Sequence, residues 1–437
     1  MYHFIGIKGS GMSALAIIMK QLGYNVQGSD YEKHYFTEDN LIKNKIKILP
    51  FDKNNIKEDM TIIRGNTFDE ENIEVKTAKN KNLKIYTYQE MVAQITNKYN
   101  LIAISGCHGK TTTASMLAHT LESNYLIGDG SGKLGKNNYF VLEACEYKRH
   151  FLNYNPNYII ITNIDLDHVD YYKNINDVID AYQNFINKAN IIIACGDDEN
   201  TTKLKHKNIY YYGINSNNDI QAKNIEYYKN GFSFDLYKKN EYKYHFDLPF
   251  YGSHMLENTL AVLTFSLIEN IDLNKVNEKL LTFKGAKRRF KETKILDNIV
   301  IDDYAHHPNE IKAVIEATKQ KYPEKQIITI FEPHTYSRTI KFQNEIKDEL
   351  NKTDYTYIMD IYPSREKQED YKNITSKIII EKLKRGEYLE KTNYKKLLRH
   401  HNSVLLFMSP NDLSEFEEEY IKAYKEKYTK KSKDNIK

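Results

Sequence analysis

The feature that most constrains this fold is an apolar run at residues 101–104 that leads directly into a glycine-rich loop and a helix-like segment. The residues after the run are Ser105-Gly106-Cys107-His108-Gly109-Lys110-Thr111-Thr112-Thr113. Glycines let successive backbone N–H groups approach a phosphate at a helix N-terminus, lysine neutralises phosphate oxygens, and a threonine hydroxyl ligates Mg²⁺. The usual pattern has a further glycine where this chain has Ile104. We therefore predict nucleotide binding by a shortened phosphate loop, with a purely structural turn as the alternative.

Strand-like apolar runs alternate with helix-like segments along almost the whole chain, which predicts an α/β fold with largely parallel sheets. Domains contain about 150 residues on average, so a chain of 437 residues is expected to form three. We place them at residues 1–98, 99–290 and 291–437. Further strands are predicted at residues 139–142, 158–162, 191–194, 299–301, 327–331 and 404–408, with a more polar, antiparallel section at 209–248.

Composition excludes several functional classes. Lys plus Arg total 63 against 59 Asp plus Glu, so the small net charge gives no reason to expect nucleic acid as a partner. The three cysteines, Cys107, Cys145 and Cys195, lack CxxC spacing and predict neither disulfides nor a zinc site. The chain shows no signal peptide and no membrane span, so we expect a cytoplasmic protein. The charge-rich tail, 422–437, is predicted to be a solvated or frayed terminus.

A second glycine turn follows the first strand, at residues 6–11. Gly6, Gly9 and Gly11 are spaced G-x-x-G-x-G, whereas the dinucleotide fingerprint is G-x-G-x-x-G, and Lys8 occupies the place of its second glycine. Close approach of an NAD pyrophosphate is therefore disfavoured, which counts against a dehydrogenase. A diphosphate can still bind at the helix N-terminus, and Asp30 at the end of the second strand is placed to reach a nucleoside. A structural turn is the alternative.

The shortened phosphate loop, with His108 before Gly-Lys-Thr, resembles that of the Mur ligase and folylpolyglutamate synthetase superfamily. Other segments resemble segments of Mur ligases and occur in the same order along the chain. They are residues 3–12, 28–30, 64–66, 143–146, 162–165, 167–168, 288–290, 302–308 and 333–339. The resemblance implies a Rossmann-like N-terminal domain, a central P-loop ATPase-like domain and a Rossmann-like C-terminal domain.

The resemblance also implies an activity. Mur ligases join a carboxylate to an amine through an acyl phosphate formed from ATP with Mg²⁺. Sister ligases carry a carbamylated lysine downstream of the position of His168, but residues 181–185 contain no lysine. This absence favours the alanine-adding branch, which ligates L-alanine to UDP-N-acetylmuramate in peptidoglycan precursor synthesis. A tripeptide-adding relative is the close alternative and a folate polyglutamate ligase a farther one. A non-catalytic nucleotide sensor and a nicotinamide dehydrogenase are alternatives of a different class. Oligomeric state stays open.

The resemblance assigns candidate site residues by position. The implied ATP-binding residues are Gly106, Cys107, His108, Gly109, Lys110, Thr111, Thr112, Asn258, Arg289 and Asp303. The implied UDP-sugar site is Gly9, Ser10, Gly11, Met12, Ser29 and Asp30. The implied amino-acid site is Tyr304, His306, His334 and Arg338. Thr111 and Glu143 are the implied ligands of one Mg²⁺ and His168 an implied ligand of a second, and the implied catalytic residues are Lys110, His168, Arg289 and His306.

One segment departs from the family pattern. Residues 409–412 read Ser-Pro-Asn-Asp where relatives usually carry Gly-Ala-Gly-Asp. Loss of both glycines changes the backbone turn, so we leave these residues out of the site.

Overall fold

The computed structural model describes residues 1–364 and 366–434, which form three α/β units, each with its own sheet. The sheets use residues 2–87, 100–248 and 291–408. Central strands are buried on both faces, as expected where helices cover both sides of a parallel sheet. All six residues of the strand Ser403–Met408 are buried, for example. The predicted α/β class is confirmed.

The first sheet is entirely parallel. Its strands are β1 (Tyr2–Ile5), β2 (Val26–Ser29), β3 (Lys47–Leu49), β4 (Thr61–Arg64) and β5 (Ile85–Thr87). Its helices are α1 (Ser10–Gln21), α2 (Glu38–Lys43), α3 (Ile73–Asn80) and α4 (Tyr88–Thr96). The order β3-β2-β1-β4-β5 is that of a Rossmann-like sheet. The glycine turn of the sequence connects β1 to α1.

The second sheet has ten strands in the described chain. They are β6 (Asn100–Ser105), β7 (Asn124–Ile127), β8 (Ser131–Lys133), β9 (Tyr139–Glu143), β10 (Tyr158–Ile161), β11 (Ile191–Cys195), β12 (Ile209–Gly213), β13 (Ile220–Tyr228), β14 (Gly231–Lys238) and β15 (Glu241–Leu248). The helices are α5 (Lys110–Leu121), α6 (Ile175–Ile186), α7 (Ser253–Ile268) and α8 (Leu273–Thr282). The order is β15-β14-β13-β12-β11-β10-β6-β9-β7-β8. The phosphate-loop strand β6 thus lies inside the sheet, between β10 and β9.

The third sheet has six described strands. They are β16 (Lys291–Ile295), β17 (Asn298–Asp303), β18 (Gln326–Phe331), β19 (Tyr355–Ile358), β20 (Gly386–Tyr388) and β21 (Ser403–Met408). The helices are α9 (Pro308–Lys321), α10 (Tyr336–Leu350), α11 (Lys377–Ile380) and α12 (Ser414–Asp434). The order is β16-β17-β21-β18-β19-β20, and only the β16–β17 pair is antiparallel among these.

The strand predictions are confirmed. β9, β10, β11, β17, β18 and β21 all lie at predicted positions. The section predicted to be antiparallel contains β13, β14 and β15, which pair antiparallel, although β12 remains parallel to β11. The division at residues 98/99 and 290/291 stays a prediction, with β6 and β16 beginning at Asn100 and Lys291.

The prediction for the tail is wrong where the structure describes it. Helix α12 continues to Asp434, and Tyr420 and Tyr424 are fully buried in the core of the third unit. The Tyr428 hydroxyl donates a hydrogen bond to the Leu398 carbonyl at 2.7 Å. These tyrosines recur every four residues, so they form one stripe of a helix most of whose other positions are charged. Residues 435–437 lie outside the described residues.

Two other predictions concern the described chain as a whole. None of its helices combines the length and the apolar character needed to cross a membrane. Cys107, Cys145 and Cys195 are free thiols, as their spacing predicted.

Candidate active site

The phosphate loop connects β6 to α5 in a conformation that requires glycine. Gly106 has a φ of +140° and Gly109 a φ of +81°, a region that other residues rarely adopt. A Cβ at Gly109 would lie 2.5 Å from Oδ1 of Asn258. The Asn163 side chain holds the loop, since it accepts from the His108 N–H at 2.9 Å and donates to the His108 carbonyl at 3.0 Å. The loop therefore leads into the N-terminus of α5, where an anion is favoured.

Lys110, the first residue of α5, folds back onto this loop. Its ammonium donates to the carbonyl oxygens of Gly106 and Cys107, the latter at 3.2 Å, and lies 3.1 Å from Oε2 of Glu146. Burial favours the neutral amine, but Glu146, together with Cys145, Cys107 and Glu143, outweighs burial and raises the pKa of Lys110 above its usual range. The side chain is therefore charged at neutral pH and lies beside the loop.

Thr111 and Glu143 face each other across the start of α5 and the end of β9. The Thr111 hydroxyl donates to Oε1 of Glu143 at 3.2 Å, and the Gly128 N–H donates to Oε2 at 2.8 Å. Burial raises the pKa of Glu143. A hydroxyl and a carboxyl group side by side are the hard oxygen donors that Mg²⁺ prefers. The pair therefore fits one Mg²⁺ site.

His168 lies apart from that pair, in a second group with Glu146 and Asp167. Its Nε2 is 3.4 Å from Oε1 of Glu146 and 4.0 Å from Oδ2 of Asp167. One ligand atom from each of the three residues lies within 4.8 Å of the others. Nδ1 of His168 is buried and makes no hydrogen bond to any described residue. Two carboxylates and an imidazole suit a divalent cation, so this group fits a second Mg²⁺ site.

The family resemblance implied Thr111 and Glu143 at one Mg²⁺ and His168 at a second, and the structure places these residues in two separate groups. Thr111 and Glu143 form one, and His168 belongs to the other. Sequence reasoning did not assign Glu146 or Asp167. A signal was present, because Glu146 follows Glu143 by three residues and Asp167 directly precedes His168.

Arg338 approaches this second group from the third unit. It lies in the first turn of α10, is 5% exposed, and forms an ion pair with Asp167 through Nη2. Its Nη1 contacts Nδ1 of His334. Its Nε is buried and makes no hydrogen bond to any described residue. The guanidinium thus keeps a buried N–H donor that no described residue accepts, and a carboxylate ligand can accept it.

His306 lies nearby, after β17. Its Nδ1 is 3.0 Å from the Tyr304 carbonyl and 3.2 Å from Oε2 of Glu310. Both neighbours are acceptors, so we assign the proton to Nδ1, which leaves Nε2 as the acceptor. Burial lowers the pKa of His306 to about 4, so the imidazole is neutral at pH 7. The ring centroid of His334 is 5.0 Å from that of His306.

Arg289, Tyr304 and Asp303 connect the second and third units. The Arg289 guanidinium lies 3.6 Å from Oε1 of Glu310 and 5.1 Å from the centroid of the Tyr304 ring. Asp303 accepts the backbone N–H of Phe290 at 2.8 Å, and burial raises its pKa to about 6. The carboxylates around Arg289 leave it charged and held beside the phosphate loop.

His108 is also surrounded by acidic groups. It lies 3.9 Å from Oδ2 of Asp165 and 3.5 Å from Oε1 of Glu310. Burial opposes its charge, but these two carboxylates outweigh burial and raise the pKa of His108 to about 9. Its ring centroid is 4.5 Å from that of His307. His307, Asp165 and Glu310 were not assigned from the sequence as site residues.

Two cavities meet at the phosphate loop. The first, of about 420 Å³, is lined by twelve predicted residues, Cys107, His108, Gly109, Lys110, Thr111, Glu143, His168, Arg289, Tyr304, His306, His334 and Arg338. The second, of about 590 Å³, adds Thr112, Asn258 and Asp303 and shares His108, Gly109, Thr111 and Arg289. Gly106 lines neither cavity and acts through the backbone shape of the loop. The arrangement suits a nucleotide in the second cavity with its terminal phosphate pointing into the first.

Asn258 supports that orientation. Its Oδ1 accepts from the Thr113 hydroxyl at 3.1 Å. Its Nδ2 is buried and makes no hydrogen bond to any described residue. Asn258 lines the second cavity. A buried amide donor without a partner is costly, so a ligand acceptor such as a purine nitrogen fits there.

The predicted UDP-sugar residues lie on the first unit, outside both cavities. Gly9 precedes α1, and no side chain caps this end of the helix. Ser10, Gly11 and Met12 form its first turn and offer backbone N–H groups. Asp30 is largely buried and accepts the Lys8 backbone N–H at 2.7 Å, which fixes the glycine turn.

Ser29 does not reach a ligand through its side chain. It is fully buried, and its hydroxyl donates to Oε2 of Glu74 beside His3. The sequence assignment of Ser29 is therefore corrected to a structural role. The sequence position was right for the strand end, but the side chain points to the interior.

Models of known families match most of the chain. "Mur ligase family, catalytic domain" matches residues 1–100, "Mur ligase middle domain" matches 132–266, and "Mur ligase, glutamate ligase domain" matches 288–409. The chain belongs to the Mur ligase family. Family membership confirms the predicted three-domain Mur ligase architecture and identifies the chain as an ATP-dependent ligase.

Solved structures of Mur ligases share this fold. UDP-N-acetylmuramate-alanine ligase MurC from Thermotoga maritima is 25% identical over 98% of this chain and 99% of that chain, with a TM-score of 0.81. The murein peptide ligase of Psychrobacter arcticus is 20% identical, covering 97% and 98%, with a TM-score of 0.72. The MurF ligase of Thermotoga maritima in complex with ADP is 16% identical, covering 92% and 96%, with a TM-score of 0.61.

Proposed function

We propose that this Mur ligase joins L-alanine to the carboxylate of UDP-N-acetylmuramate, with ATP as the energy source and Mg²⁺ as the cation. The observation that carries the proposal is Arg338, which lines the same cavity as Lys110 and His168 and whose buried Nε makes no hydrogen bond to any described residue. An amino-acid carboxylate on this guanidinium would place its amine within the cavity at the phosphate loop. The 25% identity to the Thermotoga maritima alanine ligase over 98% of this chain supports alanine as the amino acid.

In the first step the muramate carboxylate attacks the γ-phosphorus of ATP, and the bond to ADP breaks to leave an acyl phosphate. The ammonium of Lys110 and the guanidinium of Arg289 offset the charge that develops on the phosphate oxygens. Mg²⁺ held by Thr111 and Glu143, and by Glu146, Asp167 and His168, would add further charge neutralisation there.

In the second step the neutral amine of alanine attacks the activated carbonyl carbon, and inorganic phosphate leaves with its bonding electrons. Arg338 holds the alanine carboxylate. Nε2 of His306, as an acceptor, orients the amine through a hydrogen bond from its N–H. The low pKa of His306 keeps this acceptor unprotonated at neutral pH. Enclosure of the cavity by the second and third units shields the acyl phosphate from water.

The direct test of the proposal is phosphate release in the presence of ATP, Mg²⁺ and UDP-N-acetylmuramate with each candidate amine. L-Alanine is expected to support turnover, with glycine and L-serine as graded comparisons. Release that requires a tripeptide and ignores L-alanine would contradict the proposal and assign the chain to the tripeptide-adding reaction instead.

Replacing Arg338 with alanine is expected to raise the KM for L-alanine far more than the KM for ATP. Loss of a charge-assisted hydrogen bond to a carboxylate costs about 1.5–3 kcal/mol. Steady-state kinetics with each substrate varied separately measures the difference. Arg149→Ala is the matched control, because Arg149 forms ion pairs with Asp177 and Asp180 and does not line the cavity. Equal increases in both KM values would remove Arg338 from the amino-acid site.

Hydroxylamine is expected to trap the activated carboxyl group when ATP and UDP-N-acetylmuramate are supplied without an amino acid. The motivation is that both cation groups and Lys110 surround the position of the transferred phosphate. The hydroxamate is measured colorimetrically or by mass spectrometry, with ATP omitted as the control. Robust alanine-dependent turnover without any hydroxamate would argue against an acyl phosphate that is accessible to small nucleophiles.

A further inference from the structure

Lys8, which replaces a fingerprint glycine, is a buried lysine with three partners. It is 5% exposed, and its ammonium donates to the carbonyls of Tyr31 and Lys33 at 2.9 and 3.0 Å and lies 2.9 Å from Oε2 of Glu38. Two of the three N–H donors of the ammonium are used by these carbonyls, and the Glu38 carboxylate pairs with its charge. Lys8 therefore holds the segment that follows Asp30 and does not offer its charge to a diphosphate.

The held segment, residues 31–37, carries exposed aromatic side chains. Tyr31 is 60% exposed, and Tyr35 and Phe36 are each 37% exposed. The Tyr31 ring packs edge-on against Phe51, with centroids 5.2 Å apart. Large aromatic residues grouped on one exposed loop indicate a binding surface, because exposed apolar residues on a protein surface usually occur singly. We call residues 31–37 the aromatic segment.

The aromatic segment spans the distance between the glycine turn and the reaction cavity. It begins next to Asp30, and it ends at Thr37, whose hydroxyl donates to the Lys8 carbonyl. A Cβ placed on Gly130 would lie 2.9 Å from Cγ2 of Thr37 and 3.5 Å from Cε2 of Phe36. The neighbouring Asp129 lines the first cavity. A sugar nucleotide bound at the turn with its carboxylate in the cavity would therefore lie close to this segment.

We propose that the aromatic segment is the recognition surface for the N-acetylhexosamine ring of the UDP sugar, and that Lys8 is the residue that positions it. This inference rests on the proposed function, since it assumes a UDP sugar at the glycine turn. The apolar C–H face of a pyranose ring packs on the flat face of an aromatic ring, while the sugar hydroxyls stay hydrated. Tyr35 and Phe36 provide such faces at the end of the segment nearest the cavity. Lys8 acts only through the segment.

Calorimetric titration with UDP and with UDP-N-acetylmuramate separates the base and diphosphate from the sugar. The variants are Tyr35→Ala, Phe36→Ala and Lys8→Met. We expect each to bind UDP within about threefold of the parent and to lose about tenfold or more in affinity for the UDP sugar, equal to about 1.4 kcal/mol. The KM for the UDP sugar should rise while the KM for ATP stays unchanged. Lys8→Arg should restore part of the loss, because its guanidinium can reach the same carbonyls.

Matched controls are Lys53→Met and Tyr242→Ala, which remove exposed residues of the same types outside the segment. Both should bind the UDP sugar as the parent does. Should Lys8→Met fail to fold, as a melting curve would show, the two aromatic variants decide the result. If Tyr35→Ala and Phe36→Ala both bind the UDP sugar with the affinity of the parent, the inference is overturned and the proposed function is not. A parent protein that binds neither UDP nor the UDP sugar would overturn the proposed function, and the inference with it.

Discussion

Replacing Lys110 with alanine is expected to abolish ligation while leaving the binding of UDP-N-acetylmuramate nearly intact. The Lys110 ammonium lies on the phosphate loop and lines the first cavity, whereas the glycine turn at residues 6–11 lies on the first unit. Removing a positive charge from the transferred phosphate costs about 3 kcal/mol or more of transition-state stabilisation, because positioning and electrostatics supply most of the catalysis of phosphoryl transfer.

The structure adds a second reason for a large effect. Glu146 is 1% exposed, and its carboxylate loses its lysine partner in Lys110→Ala. An unpaired buried carboxylate takes up a proton or draws in a cation, which disturbs the group it shares with His168. Lys110→Met, which keeps the length of the side chain, separates lost charge from lost packing.

Calorimetry with the UDP sugar and a turnover assay test both halves of this prediction. The control is Lys136→Ala, which removes an exposed lysine of the same unit. It should change neither the affinity for the UDP sugar nor the rate of turnover. A loss of about tenfold or more in sugar affinity, or about 1.4 kcal/mol, would show that the two sites overlap. The assignment of the two substrates to different units would then be wrong.

The phosphate loop was predictable because its chemistry is contiguous in sequence. The strand, the two glycines, Lys110 and Thr111 follow one another within residues 100–111, and the chain has no alternative way to arrange them around a helix N-terminus. The central parallel strands were predictable for a similar reason, since each is a short apolar run buried on both faces.

Contacts between distant residues were not predictable in the same way. Arg338 and Asp167 are 171 positions apart and meet only because the third unit packs against the second. Apart from its position directly before His168, nothing local to Asp167 distinguishes it from a surface aspartate. Its ion pair with Arg338 lowers its pKa well below the usual range despite burial, and that environment exists only in the folded chain.

Side-chain direction was a second limit. Successive residues of a strand point to opposite faces, so a motif that ends a strand does not show which of its side chains reaches a ligand. Ser29 points inward to Glu74, whereas Asp30, one residue later, accepts from the glycine turn. A one-residue difference therefore separates a side chain that points into the core from one that holds the glycine turn.

The prediction for the tail was wrong for a different reason. Its many lysines and glutamates concealed Tyr424 and Tyr428, which continue the spacing of four residues that begins at Tyr420 and therefore lie on one helical face. Charge dominated the prediction because charged residues are more numerous, but burial is decided by the few apolar residues that share a face.

Replacing Glu146 with glutamine is expected to lower kcat by about 100-fold and to raise the Mg²⁺ concentration needed for half-maximal rate by about 10- to 100-fold. Glu146 contacts both Lys110 and His168, so its charge holds together two parts of the site. Burial opposes ionisation, but Lys110 and His168 lower its pKa, and the carboxylate is charged at neutral pH. Glutamine keeps the shape and removes that charge.

The Mg²⁺ dependence of the rate distinguishes a cation role for Glu146 from a purely structural one. A residue that only supports Lys110 would change kcat and the KM for ATP, but the Mg²⁺ dependence would stay parental. Mn²⁺ binding in the presence of ATP, followed by paramagnetic resonance, gives a readout that does not require turnover. Glu122→Gln is the matched control, because Glu122 is exposed at the far end of α5 and pairs with Lys279. Parental Mg²⁺ and Mn²⁺ dependence in Glu146→Gln would leave Thr111 and Glu143 as the supported cation pair, and would assign the Glu146, Asp167 and His168 group to orienting Lys110 and Arg338.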